Sequence, residues 1–276
     1  MTYQSQRFSL SVSVSVSVSQ SQPSLKASST MNLHLFILFL VLITTLTWST
    51  SAQANCTRVC NGESVAYPFG FSDGCEIRLN CSEGGDIRVG GEYNVQNITS
   101  DRILVNLPAK CDRKFDEIRV FNSDNFALSS RNGLLLEKCN STLNDCVVST
   151  ARVENHFNLQ KCDTRDNSST MNCYSEDDPD REEFVNLKQL DDARCQILFS
   201  SVTVDVNGSG STPSMPVSLE FQLLDLGWWV RGECSCDKNA SCRNVSYANR
   251  TVGYRCHCNE GFAGDGFAAG NGCRRG

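Results

Sequence analysis

Sixteen cysteines, all of them after Ala54, constrain this chain more than any other feature. The number is even and far above what a cytosolic enzyme carries. It points to disulfides and an oxidising compartment. The chain has 276 residues, 40% of them hydrophobic and 20% charged, which suits a globular protein rather than a disordered one. A net charge of −6 argues against a nucleic-acid ligand, because neutralising phosphates needs a basic surplus. Only three histidines occur, His34, His156 and His257, too few for an elaborate zinc or proton-relay site. No metal site and no cofactor are expected.

The amino terminus reads as a leader. Residues 9–19 alternate Ser and Val, a low-complexity extension within 1–30 that need not be native. Met31 offers an alternative start. From Leu33 to Leu46 runs an apolar stretch too short for a membrane span, which needs roughly 20 residues. Ala52-Gln53-Ala54 follows as a small-x-small cleavage site, so 31–54 is expected to be a signal peptide. An uncut signal anchor is the competing reading. Cleavage would leave 222 of the 276 residues and remove only Arg7 and Lys26 as charges, giving a net of −8. N-x-[S/T] sequons agree with secretion. Those expected to carry glycans are Asn97, Asn140, Asn167, Asn207, Asn239, Asn244 and Asn249; Asn55 and Asn80, with Cys at x, are weaker.

The last six cysteines, Cys234, Cys236, Cys242, Cys256, Cys258 and Cys273, lie in a segment too small to fold on apolar burial alone. Each disulfide would contribute about 2–4 kcal/mol. The ending Gly253-Tyr-Arg-Cys-His-Cys, then Gly261-Phe and Gly264-Asp-Gly, resembles an epidermal-growth-factor-like module. The resemblance implies the pairs Cys234–Cys242, Cys236–Cys256 and Cys258–Cys273. The acidic run that precedes calcium-binding modules of this kind is replaced by Val230-Arg231-Gly232-Glu233, so calcium is not expected.

Residues 56–81 carry Cys56-x3-Cys60, Asn61-Gly62, Val65-Ala66-Tyr67-Pro68-Phe69-Gly70, Gly74-Cys75 and Cys81. This stretch resembles the galacturonan-binding amino terminus of plant wall-associated receptor kinases, with Asn61 displacing the Gly that usually follows the second cysteine. The order of parts also matches: signal peptide, this region, a middle cysteine-bearing region, Leu226-Gly-Trp-Trp229, then the growth-factor-like module. In that family a transmembrane helix and a cytosolic kinase follow. Here no kinase motif set occurs, and no 20-residue apolar span follows Ala54. The resemblance therefore implies an ectodomain, with a membrane only if a longer gene product supplies the anchor.

The expected parts are 55–120, galacturonan-binding-like; 121–233, a middle β region; and 234–276, the growth-factor-like module. The middle holds strand-like runs at Ile103–Leu107, Glu117–Phe121, Gly133–Leu136, Val147–Thr150, Gln196–Val206 and Val217–Leu224. Asn132-Gly133 is a hairpin-turn signal. One helix is expected with Asp178 as cap, Pro179 first, and Phe184, Leu187 and Leu190 on one face. The fold class is mainly β and disulfide-rich: small cysteine-rich β domains followed by the growth-factor-like module. The pairing of Cys56 through Cys195 stays open.

The resemblance implies pectin or oligogalacturonides as partner. Uronate carboxylates want Arg or Lys donors. Residues 55–120 hold eight basic and ten acidic residues, and their basic members Arg78, Arg88, Arg102, Lys110, Arg113, Lys114 and Arg119 are the candidate contacts. The alternative for them is a set of solvated surface charges. Tyr67 could stack on a sugar or pack beneath the disulfides, and Trp228-Trp229 could stack sugar or anchor the last module. The acidic run Glu176–Glu183 is expected to be a solvated helix face. Another extracellular protein is the alternative partner, reached through the growth-factor-like end. No motif places carboxylates, a serine or a cysteine for catalysis, so no enzyme is expected.

Overall fold

The structure, a computed structural model, describes residues 55–140, 148–149, 151, 155–156, 162, 170–175, 183–206 and 217–276. Residues 1–54, which include the expected extension 1–30 and the expected signal peptide 31–54, lie outside them, as do Asp178, Pro179 and the sequons Asn167 and Asn207.

Alternation lays down the strands. In Arg102–Asn106, Ile103 and Val105 are buried while their neighbours are partly exposed. Asn132–Glu137 carries three successive leucines and is buried on both faces. Leu134 and Leu136 join one core cluster and Leu135 another, as the two-residue period of a strand requires. Across from it Leu198 joins the first cluster, Ile197 and Phe199 the second.

Two antiparallel sheets organise the chain. Six strands lie in the spatial order Asn80–Cys81, Ile87–Val89, Tyr93–Ile98, Arg102–Asn106, Leu223–Trp228 and Phe126–Leu128. Five lie in the order Val148–Ser149, Thr170–Tyr174, Asn132–Glu137, Ile197–Val206 and Val217–Phe221. The fold is mainly β and disulfide-rich, as expected. Residue 120 marks no sheet boundary, because strands from both sides of it pair in the six-stranded sheet.

The expected run Val217–Leu224 is two strands. Gln222, at φ 62, turns the chain from the five-stranded sheet into the six-stranded one. Its N–H donates to Ser201 O at 2.9 Å, and its carbonyl accepts from Leu107 N at 2.7 Å. The expected strand Glu117–Phe121 is instead part of a 3₁₀ helix, Phe115–Phe121. Phe115, Ile118 and Phe121 recur every third residue and are all buried. A 3₁₀ helix stacks such positions on one face.

Asn132-Gly133 is not a hairpin turn. Asn132 starts its strand, and its buried amide donates to Ser129 O and Asp225 O while accepting from Asp225 N. The expected helix is shorter than the sequence suggests. It spans Leu187–Ala193, with Asn186 as cap accepting from Lys188 N. Phe184 lies before it, bridged to Ser129 and fully buried.

Seven disulfides join described cysteines. Cys56–Cys75, Cys60–Cys81, Cys111–Cys162 and Cys139–Cys195 staple the first two parts. Cys173 is bonded as well. At the amino-terminal end Phe69–Gly70 pairs in parallel with Ile77–Arg78. A Cβ on Gly70 would strike both sulfurs of Cys56–Cys75, so only glycine lets the strand pass under that bond.

The carboxy-terminal module has two hairpins, Ala240–Tyr247 with Arg250–Cys258 and Phe262–Gly264 with Cys273–Arg275. Its bonds are Cys234–Cys242, Cys236–Cys256 and Cys258–Cys273, the connectivity the resemblance implies. It is docked, not tethered. Val230 and Tyr254 exchange backbone hydrogen bonds of 3.0 and 2.9 Å, and Gly253 leaves room for the Val230 carbonyl. No helix among the described residues is long and apolar enough to cross a membrane.

Candidate ligand-binding surface

Among the described residues, concavities lie in the amino-terminal part. A cleft of about 340 Å³ adjoins one of about 270 Å³, and the two share Glu63, Ile87, Val95 and Gln96. They run between the short hairpin Val59–Ser64 and strand Tyr93–Ile98. Asn61, Asn94 and Gln96 offer amide donors and acceptors that suit hydroxyls. The charged groups at the walls are Glu63 and Asp86, and no cation lines either cleft. A third depression of about 230 Å³ brings Lys110 and Arg113 beside Glu92, Tyr93 and Glu117.

The structure brings few of the expected cationic contacts together, and it gives most of them a partner within the chain. Arg78 pairs with Asp73. Arg88 reaches Asp86 at 2.8 Å and Asn94 at 2.9 Å. Lys110 lies 3.4 Å from Asp112, and Arg119 lies 2.9 Å from Asp191. Arg113 is 2% exposed and donates to the carbonyls of Pro108, Leu198 and Phe199, so it presents no charge to solvent. Lys114 alone among the seven is exposed with no acidic partner among the described residues.

Arg102 belongs instead to a cluster of charges around buried Asp225. It approaches Asp225 at 3.4 Å and Asp101 at 3.9 Å, and Arg131 approaches the same two carboxylates at 3.9 and 3.6 Å. Burial pushes the Asp225 carboxyl up to about 6 against the pull of both arginines.

The aromatic candidates pack rather than present faces. Tyr67 rests on Phe267 with ring centres 5.0 Å apart, and Arg58 lies over its ring at 5.0 Å. Burial, aided by Glu76, pushes its hydroxyl up to about 12. Tyr93 is also raised to about 12, by burial and by donating to Glu117 at 2.8 Å. Trp228 and Trp229 are each 2% exposed. Trp228 packs edge-on to Phe69 at 5.0 Å and donates to Thr99 O, while Trp229 packs against Phe184 at 5.3 Å. They anchor the last module. Of the acidic run only Glu183 is described, and it is not simply solvated: it pairs with buried Arg255 of that module. No spacing signal in the sequence marks that pair.

Asn97, Asn140, Asn244 and Asn249 are exposed, whereas Asn239 is half-buried and its amide donates to Cys273 O at 3.5 Å. No cluster of metal-ligating side chains occurs among the described residues. The carboxy-terminal module differs from the rest in its charges. Lys238, Arg243, Arg250, Arg274 and Arg275 are exposed. None of the five makes an ion pair among the described residues. His257 beside them is held below its usual range by burial and by Arg255, with a smaller push from Arg243.

No protein-family model matches the chain, and no solved structure does. Three Arabidopsis thaliana relatives are similar to it. Wall-associated receptor kinase-like 14 is 36% identical over 227 residues, covering 80% of this chain and 31% of the relative. Wall-associated receptor kinase-like 21 is 33% identical over 223 residues, covering 78% of this chain and 33% of the relative. Wall-associated receptor kinase 1 is 25% identical over 249 residues, covering 76% and 33%. The chain thus spans about a third of the length of these relatives.

Proposed function

We propose that this chain, a homologue of the wall-associated receptor kinase-like proteins over about 80% of its length, is an extracellular region that binds cell-wall pectin and performs no catalysis. The observation that carries the reading is the match over about 80% of the chain. The leader and the sequons agree with an extracellular or wall location.

The physical features fit a polysaccharide ligand. The clefts along Tyr93–Ile98 are open to solvent and carry amide side chains, suited to hydroxyl-rich chains. The exposed sequons Asn97, Asn140, Asn244 and Asn249 are proposed to carry glycans.

The test is calorimetric titration of the secreted chain with de-esterified oligogalacturonides, beside a neutral glucan. Saturable binding to the uronide that weakens as salt rises is expected. Absence of binding in a fully disulfide-bonded sample would sink the reading.

A further inference from the structure

We infer that the cationic contact for a carboxylated polysaccharide lies on the growth-factor-like module, along its two hairpins, and not on the amino-terminal basic residues. The inference rests on the polysaccharide-binding reading above and names the surface that would carry it.

In the amino-terminal part Arg78, Arg88, Arg102, Lys110 and Arg119 each have a carboxylate beside them, Arg113 is buried against carbonyls, Arg58 lies over the Tyr67 ring, and Lys114 is left as a single exposed cation with no acidic partner among the described residues. Such a pair shows solvent a dipole. Across a screening length of about 8 Å at physiological salt, little attraction for an approaching polyanion survives. Its own carboxylate also repels uronates. The amide-lined clefts add Glu63 and Asp86 and no cation.

The module reverses this balance. Residues 234–276 hold six basic and three acidic residues in a chain that is acidic overall. Arg255 is buried, and the other five cations are exposed with no acidic partner among the described residues. Two of the three acids are occupied internally. Asp265 accepts from the backbone N–H groups of Phe267, Asn271 and Gly272. Asp237 accepts from Asn239 N. Only Glu260 is exposed with no bond of its own.

The cations are spread along strands rather than gathered in a pocket. Arg243 stands opposite Arg255 in the long hairpin, Arg250 sits at its turn, and Arg274 and Arg275 lie on the last strand. That distribution fits a linear polymer bearing a carboxylate on successive units. Four of the five are arginines, whose planar forks match carboxylates in two-point contact.

The test compares four proteins, each as the full secreted chain, against oligogalacturonides and against poly-L-glutamate at two salt concentrations. The first variant combines Arg243→Gln, Arg250→Gln, Arg274→Gln and Arg275→Gln. The second combines Arg78→Gln, Arg88→Gln, Lys110→Gln and Arg119→Gln. The third, a charge control, combines Lys138→Gln and Lys188→Gln. The first should raise Kd for the uronide at least tenfold and flatten its salt dependence. The control should stay within twofold. Should the first variant fail to form its disulfides, Glu260→Gln gives the converse reading and should tighten binding.

If the module variant binds like the parent while the amino-terminal variant loses binding, the inference falls and the polysaccharide reading stands. If the parent binds poly-L-glutamate through the module arginines but ignores the uronide, the surface stands and the polysaccharide reading falls. A parent that binds neither polymer overturns both.

Discussion

Asp225 shows how a single residue in this fold is governed by its surroundings. It sits in the six-stranded sheet with its side chain 1% exposed. Its backbone is held on both sides by the Asn132 amide, and its Oδ1 finds no hydrogen-bond partner among the described residues. Desolvation wins over Arg102 and Arg131, so its folded-state pKa of about 6 lies above its unfolded value. A group raised in this way binds its proton more tightly in the folded protein. Its contribution to stability is full below about pH 4 and is lost as pH rises through about 6. A shift of about two units corresponds to about 3 kcal/mol. Asp225→Asn removes the titrating group and keeps the shape. Urea denaturation of both proteins at pH 4 and pH 7 should show the variant gaining about 2 kcal/mol relative to the parent across that interval. A difference that does not change with pH would refute the assignment.

At the scale of elements, the segment Val217–Trp228 and the two residues after it carry much of the connectivity. One turn at Gln222 passes the chain between sheets, and Trp228 and Trp229 then point to opposite clusters. Trp228 packs with Phe69 and Phe267, and Trp229 with Phe184, Val245 and Tyr247. Trp229→Ala therefore empties a site walled by the middle part on one side and the long hairpin on the other. The expected cost is about 3–5 kcal/mol. Thermal unfolding followed by near-ultraviolet circular dichroism measures it, and an unchanged midpoint would show that the indole is not a structural anchor. The same substitution should leave affinity for oligogalacturonides unchanged in the folded fraction, because the ring presents no face to solvent.

On the scale of the whole molecule, the three parts are not separable beads. Phe69 of the first part, Trp228 and Val230 of the middle, and Tyr254 and Phe267 of the last belong to one core cluster. Deleting 234–276 would uncover Trp228, Trp229 and Tyr67 together. The truncated chain should bind a hydrophobic dye strongly and unfold at a lower temperature than the full chain, and equal stability of the two would show that the module is merely tethered. Much of this body was legible in the sequence. The cysteine count announced a disulfide framework, and the growth-factor-like spacing implied the last three pairs. Apolar runs, alternating in Arg102–Asn106 and continuous in Asn132–Glu137, located these strands and Ile197–Val206 to within about a residue. The three-residue spacing of Phe115, Ile118 and Phe121 is present in the sequence, but Ile118 and Val120 also stand two apart as in a strand, and only packing shows that Val120 is exposed. The site was far less legible. A basic residue counts as a ligand contact only if no carboxylate lies beside it, and those carboxylates come from anywhere in the chain. Asp225 is 123 residues from Arg102, and Glu183 is 72 from Arg255. The local pattern determined which residues face inward and which cysteines suit the small module; only the packed structure decided which charges are neutralised, because Coulomb partners are chosen by distance in space and not by order along the chain.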